Sequence, residues 1–486
     1  MMAAAFLSPV AMADIGGGGA TLPAKAYHGD NASSTASGPR LSSPAPGSLF
    51  GEALPLTTQS YCQTGSGGGR SVLTGSSGNT NASRPCPTTF TDAFVNGTSG
   101  FSAPSTDADF AGSDAPAGTG DFNSFITNKA SHEQMTQFPS IAGLISVIAN
   151  TPGAGSKGVY LTEAEVCNVF AGKITNWSQL SKQNGLAFPS APIKLVYRSD
   201  SSGTSFAFSN HLNWVCQDAA LAQTLAPGAA SLPFAVANNF SVQSVFASAF
   251  PGAVVPTGAI GASGNPGVAS AVDANDGAIG YAEAANAAAL GSANVTAALI
   301  AAVDTAAELN PQDGTATPRN TALYTSAVKN SKLFTIPASF VDKDGQTYNS
   351  AYGDRALQSN NVSFGRPVGL GTALTSTQAP HANCVVLVQP GAYATSVYKT
   401  SGVPTSGYAS YPIAAVTYLM GNYALNGSTD DVRALLGSPY NTALRGSITT
   451  VGKNTGYSYL SDVKVKPLSG VGAYFVNQDL INSCTN

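Results

Sequence analysis

Within one short stretch, Arg198-Ser199-Asp200-Ser201-Ser202-Gly203-Thr204 gathers several groups able to grip an anion. It follows a strand-like run at 193–197 and precedes Phe208, Leu212 and Val215 at helical spacing, so the order is strand, polar turn, helix. A turn of that kind leaves backbone N–H groups unpaired at a helix start, with the positive end of the helix dipole behind them. Ser202 and Thr204 add hydroxyl donors, and Arg198 offers a planar fork of N–H groups to two oxygens of one oxyanion, which a lysine cannot match. The same residues also fit a plainer arrangement, a capped helix with Arg198 paired to Asp200.

Ser113 and Asp114 lie in Phe110-Ala111-Gly112-Ser113-Asp114-Ala115-Pro116. A carboxylate in an anion site makes sense only if the ligand carries a proton. Ionised, it accepts hydrogen bonds and cannot donate, so it can face an acidic O–H, whereas a fully deprotonated oxyanion such as sulfate sets acceptor against acceptor. The alternative for Asp114 is an Asx turn ahead of Pro116. Two glycine-rich segments, Gly16 to Pro23 and Gly65 to Gly69, let backbone approach a ligand closely, with Thr21 and Ser66 as hydroxyl donors. The GxGxxG match at 153–158 opens no helix on its last glycine and reads as a turn. No P-loop, HExxH or GxSxG is present, and His28, His132, His211 and His381 are scattered, which counts against a metal-dependent hydrolase.

The chain that must position these groups has 486 residues, room for two large lobes with insertions. Charged residues are 10% of it, against roughly 25% in an average soluble protein, so its surface is polar without being charged, as suits an exported protein. A net charge of −4 gives no electrostatic reason to expect nucleic acid or an anionic membrane as partner. The short apolar run 1–13 ends in Ala11-Met12-Ala13, a pattern that fits signal-peptidase cleavage before Asp14. No later run approaches the ~18 apolar residues of a membrane span. Six cysteines without a CxxC pair argue for three disulfides after export and against zinc. Proximity pairs Cys62 with Cys86 and Cys167 with Cys216, leaving Cys384 for Cys484, one of the fifteen arrangements that six cysteines allow.

The stretches 31–48 and 65–89, dense in Ser, Gly and other turn formers, read as surface insertions. An apolar run at 141–149, bounded by Pro139 and Pro152, reads as a strand, as do 278–282 and 384–388. Thr162 and Glu165 form a capping box for a helix through Val166, Val169 and Phe170 that ends near Gly172. Ala-rich patterns near 284–290 and 295–308 read as further helices. Strands alternating with helices imply an α/β sheet, and no fixed-period repeat is visible.

In order and type, these segments resemble the periplasmic phosphate-binding proteins of the PstS class, and more closely their DING-like relatives. Asp14-Ile15-Gly16-Gly17 is similar to, but departs from, the Asp-Ile-Asn-Gly that names the latter group. GATLP at 19–23, GSGG at 65–68, GSDAP at 112–116 and RSDSSGTSF at 198–206 look like the four phosphate loops in sequence order. GKITNW at 172–177, GAIGYAE at 277–283 and YPIAAVTYLM at 411–420 are framework matches. The resemblance covers about 14–281 and resumes near 411. It implies an α/β, two-lobed periplasmic-binding-protein fold of type II, with mixed sheets flanked by helices and the ligand in the interlobe cleft. One lobe would be 14–140 plus 411–486, and the other 141–410 with a long insertion at about 286–410.

Carried over residue by residue, the implied phosphate ligands are Thr21, Leu22, Ser66, Asp114, Arg198, Ser202, Gly203 and Thr204. The resemblance further implies a monomer without metal or cofactor, located in the periplasm or, alternatively, outside the cell. Its partners would be inorganic phosphate and an ABC permease in the inner membrane, which large insertions could obstruct. Related secreted proteins have phosphatase activity, so the alternative is a low-activity phosphatase using the same cleft. Ser66 or Ser202 would be its nucleophile, yet neither has a sequence-adjacent base. A weaker third reading is a matrix protein that adheres through its Ser/Gly-rich inserts.

Overall fold

The computed structural model describes residues 15–29, 40–41, 44, 46–55, 59–76, 108–152, 159–180, 187–216, 240–284, 286, 295–297, 299–301, 336, 338–341, 347–352, 374–394, 413–426, 428–444, 457–460, 463–465 and 474–486. The leader-like stretch 1–13, Asp14, Cys86, the turn at 153–158 and much of 286–410 lie outside the described residues.

An 11-stranded mixed sheet organises the chain. Its strands are β1 (Ile15–Gly19), β2 (Arg40–Leu41), β3 (Gln59–Cys62), β4 (Phe110–Ser113), β5 (Met135–Asn150), β6 (Lys194–Arg198), β7 (Ile260–Ala262), β8 (Ala278–Glu283), β9 (Val295–Ala297), β10 (Ala414–Asn422) and β11 (Tyr457–Tyr459). The order is β2-β3-β1-β4-β10-β5-β8-β6-β7, with β9 and β11 also pairing β5. β1 runs parallel to β3 and β4, and β6 parallel to β7 and β8. β5 joins these two parallel sets. Its first part, Met135 to Leu144, lies antiparallel to β10, and Ile145 to Ala149 lies antiparallel to β8. All 16 of its residues except Leu144 are buried, which is why its stretch 141–149 reads as a nearly unbroken apolar run rather than an alternating one.

Four sequence expectations need correction. β5 does not start after Pro139 but runs through it. The register of β10 shifts between Val416 and Tyr418 beside Pro139, and that irregularity accommodates a residue with no N–H to give. The stretch from Gly65 is no surface insertion at its start, because Ser66–Leu73 forms a buried helix. Its glycines are tolerated because the helix lies against β1, where a Cβ on Gly69 would meet the Gly19 Cα and the Gly18 carbonyl. The helical pattern at 295–308 begins instead with two short strands, Val295–Ala297 on β5 and Leu299–Ala301 parallel to Tyr160–Thr162. There the backbone finds ladder partners on neighbouring strands, and a few tenths of a kcal/mol of helix propensity do not outweigh them. Of 384–388, only Leu387–Val388 is strand, preceded by a single 3₁₀ turn at Ala382–Cys384.

The helices that matter for the site are α1 (Ala24–His28), α2 (Ser66–Leu73), α3 (Thr119–Asn128), α4 (Glu163–Phe170), α5 (Gly203–Val215) and α6 (Gly264–Asp273). α4 ends as its sequence indicates, with Gly172 at φ +70° supplying the left-handed turn. Two aromatic clusters anchor the halves of the sheet: Tyr27, Phe50, Tyr61 and Phe110 on one side, and Phe170, Phe208, Phe246 and Tyr281 on the other. Disulfides link Cys167 with Cys216 and Cys384 with Cys484, with Cα atoms 5.5 and 5.4 Å apart. Cys62 is also disulfide-bonded.

Candidate ligand site

Parallel strands release their chains at their carboxyl ends, and helices begin there with unpaired N–H groups, so a ligand cleft belongs at those ends. β1 leads into Thr21 and Leu22, β3 into α2, β4 into Asp114, β6 into Arg198 and α5, and β7 into α6. Strands from both halves of the sheet thus deliver their loops to one place.

Arg198 is buried to 1% exposure. Its Nε donates to Asp200 Oδ1 at 2.7 Å, its Nη2 to Asp200 Oδ2 at 2.5 Å and its Nη1 to Asn265 Oδ1 at 3.0 Å. The plainer arrangement weighed for this segment, a capped helix with Arg198 paired to Asp200, is present. Of the guanidinium's five N–H donors, three are used in these bonds, and one remains on each terminal nitrogen. Burial pulls the Arg198 pKa down, but the charge and hydrogen bonds of Asp200 outweigh it and hold the group above its ordinary value. Asp200 Oδ1 also accepts from the Gly264 N–H at 3.0 Å, tying the start of α6 to the same carboxylate.

Asp114 is likewise buried, and its Oδ1 has no hydrogen-bond partner. Burial pushes its carboxyl up to about 7, with Glu283 adding to the rise and Arg198 and the Thr204 and Ser66 hydroxyls opposing it. Ser66 Oγ accepts from the backbone N–H of Asp114 at 3.1 Å and of Gly203 at 3.0 Å, so one hydroxyl joins β4 to the first turn of α5. Gly203 is obligatory there, because a Cβ would strike Ser66 Oγ and Asp114 Cβ. Ser202 caps α5 by accepting from the Ser205 N–H at 3.1 Å. Thr21 and Thr204 each accept from Asn265 Nδ2, at 2.9 and 3.3 Å. Leu22 seats its side chain over Gly143 of β5, and its carbonyl accepts from the Tyr457 hydroxyl.

The structure thus brings Thr21, Leu22, Ser66, Asp114, Arg198, Ser202, Gly203 and Thr204 into one buried cluster. Sequence reasoning missed Asn265, which sits at its centre, because its partners Arg198, Thr204 and Thr21 lie 67, 61 and 244 residues away. It also missed Glu283, quoted only as part of the framework run GAIGYAE, and Tyr281, whose hydroxyl meets Ser205 Oγ at 2.7 Å and the Arg198 N–H at 3.3 Å. Arg70 reinforces the wall behind the site, donating to Ser113 Oγ at 2.9 Å and pairing with Asp121 of α3 at 3.1 Å. Among the described residues, no group of His, Cys, Asp and Glu could hold a metal ion. Asp200 is neutralised by Arg198, whereas Asp114 keeps one unpartnered oxygen, and a group facing that oxygen must bring a proton to donate.

A bilobal α/β fold is what the comparisons also find. The PBP superfamily domain matches residues 41–357, and the chain belongs to that superfamily. It is 26% identical over 384 residues to alkaline phosphatase L of Pseudomonas aeruginosa strain PAO1, spanning 78% of this chain and 86% of that protein. It is 32% identical over 182 residues to the phosphate-binding protein PstS of Xylella fastidiosa strain 9a5c, spanning 37% of this chain and 41% of that protein. A high-affinity periplasmic phosphate-binding protein of the DING group, solved with phosphate bound, superposes with a TM-score of 0.52 at 22% identity over 92% of this chain and 91% of its own. That last likeness establishes the two-lobed fold. The resemblance to the PstS class and its DING-like relatives, read from the sequence, stands.

Proposed function

We propose that this protein binds inorganic phosphate in the cleft between its lobes and serves as the solute-binding component of an ABC phosphate importer. The observation that carries the reading is Asp114: a buried carboxylate with an unpartnered oxygen, set among the N–H and O–H donors of Arg198, Ser66, Gly203 and Thr204. Ionised Asp114 accepts a hydrogen bond from a phosphate O–H, and sulfate has none to offer, so the site selects phosphate over sulfate. Thr21, Leu22, Ser66, Ser202, Gly203 and Thr204 supply the remaining contacts, and the Arg198 fork takes two oxygens. The lobes are 14–140 with 411–486, and 141–410, and they meet within β5. The protein works in the periplasm, as does the phosphate-binding protein of the DING group whose fold it shares. Among the described residues no helix is long and apolar enough to cross a membrane.

A second reading, a phosphatase using the same cleft, draws support from the likeness to alkaline phosphatase L and from Asp114 itself. A carboxyl pushed up to about 7 beside the Ser66 and Thr204 hydroxyls has the pKa of a general base at neutral pH. Calorimetric titration of the phosphate-stripped protein with phosphate and with sulfate, alongside release of phosphate from an aryl ester, separates the two. Phosphate binding without sulfate binding, lost in Arg198→Ala, together with no turnover, supports the binding protein. Turnover abolished by Asp114→Asn supports the enzyme, and a wild-type protein that binds no phosphate refutes both.

A further inference from the structure

We infer that Asn265, through its side-chain amide, sets the polarity of the site and ties its two halves together, which makes it a positioning and specificity-determining residue that touches no part of the ligand. The inference rests on the phosphate reading above.

Asn265 lies in the first turn of α6 and is fully buried. An amide can be turned either way round, but here its partners fix it. Arg198 can only donate, so the atom at 3.0 Å from Nη1 is the oxygen, and the NH₂ group faces Thr21 Oγ1 at 2.9 Å and Thr204 Oγ1 at 3.3 Å. Both N–H donors of the amide are then committed to the two threonines. A hydroxyl that accepts from Asn265 must aim its own O–H elsewhere. Thr204 gives its O–H to Asp114, and the Thr21 O–H is left as the donor toward whatever lies in the cleft. The order of charge therefore runs from Asp200 through Arg198 to the Asn265 oxygen, and from the Asn265 NH₂ to the two hydroxyls.

The geometry carries a second consequence. Thr21 follows β1, in one half of the sheet, while Asn265 and Thr204 begin helices in the other, and 244 residues separate Asn265 from Thr21. Asn265 is accordingly a clasp between the halves as well as the group that orients Thr21.

Substitution separates this role from simple packing. Asn265→Ala removes the amide and leaves the hydroxyls free to rotate. Asn265→Asp keeps the shape but can only accept when ionised, so Thr21 and Thr204 must donate to it and present lone pairs to the ligand. The site then favours the more protonated phosphate species. Phosphate affinity of the full chain is measured by calorimetry from pH 5.5 to 8.5 for wild type and both variants, with circular dichroism to confirm folding. We expect Asn265→Ala to weaken binding by about tenfold to a hundredfold, the range for a hydrogen bond to a charged group, with an unchanged pH profile. Asn265→Asp is expected to bind best at the acid end of the range. Wild-type affinity in Asn265→Ala overturns the inference, and so does an Asn265→Asp loss that is equal at every pH. If the wild type binds no phosphate, the phosphate reading fails and takes this inference with it, a result distinct from wild-type binding with unaffected variants.

Discussion

Replacing Asp114 with asparagine removes a titrating group from the centre of the site while keeping its size, and the consequence for stability can be worked out before phosphate is added. The carboxyl rises from an ordinary 3.8 to about 7, chiefly because burial disfavours its charge. Raised by roughly 3 units at 1.36 kcal/mol each, the group makes a pH-dependent contribution of about 4 kcal/mol. The sign follows from proton counting. Between pH 4 and 7 the folded chain holds a proton on Asp114 that the unfolded chain has lost, so stability is fully present below pH 4 and falls as pH rises through 7. Asparagine cannot titrate, so Asp114→Asn should match the wild type near pH 4 and exceed it by up to about 4 kcal/mol at pH 8. Urea unfolding in phosphate-free buffers at closely spaced pH values measures this, and subtracting variant from wild type cancels every other titrating group. A difference that stays flat from pH 4 to 8 would refute the claim that Asp114 is buried and poorly compensated. Excess phosphate should stabilise the wild type selectively, by linkage to binding.

Three further expectations concern residues around the site. The imidazole of His28, fully buried against Phe50 and Tyr61, is pulled down to about 3 by burial, so its contribution is present above pH 6.5 and lost as pH falls toward 3; His28→Leu should flatten the acid limb of the stability profile. Gly203→Ala should abolish phosphate binding while leaving circular dichroism intact, because the added methyl strikes Ser66 Oγ and Asp114 Cβ; calorimetry with normal affinity would count against the close approach of α5 to β4. Cys384 and Cys484 close a loop of 100 residues, so replacing both with serine should lower stability by about 4–5 kcal/mol in denaturant unfolding under non-reducing conditions, with no change in the site.

What could be read from the sequence was what the chain encodes locally. Arg198, Ser202, Gly203 and Thr204 lie within one strand-turn-helix unit, so their closeness could be read from the sequence, although types and spacing alone fitted a capped helix as well as an anion site. Asp114 was singled out by the family resemblance, since its own segment fitted an Asx turn ahead of Pro116 at least as well. Asn265 and Tyr457 were not legible, because their partners Thr21 and Leu22 lie 244 and 435 residues away, and only the folded sheet brings them together. Glycines misled for a related reason. In Ser66-Gly67-Gly68-Gly69 they mark no loop but a helix that needs bare backbone to lie on β1, a contact that composition cannot reveal. Pro139 misled because the irregularity that admits it belongs to β10, far along the chain.

β5 belongs to the ladders of both halves, and its Leu144 is followed directly by Ile145 with no intervening turn. Melting either half would strip one end of that strand of its partners and bare an apolar edge on the other, so neither half can be lost alone at low cost. The described strands should therefore give up their amide protons to solvent exchange with similar free energies on both sides of residue 144, as one cooperative unit rather than two.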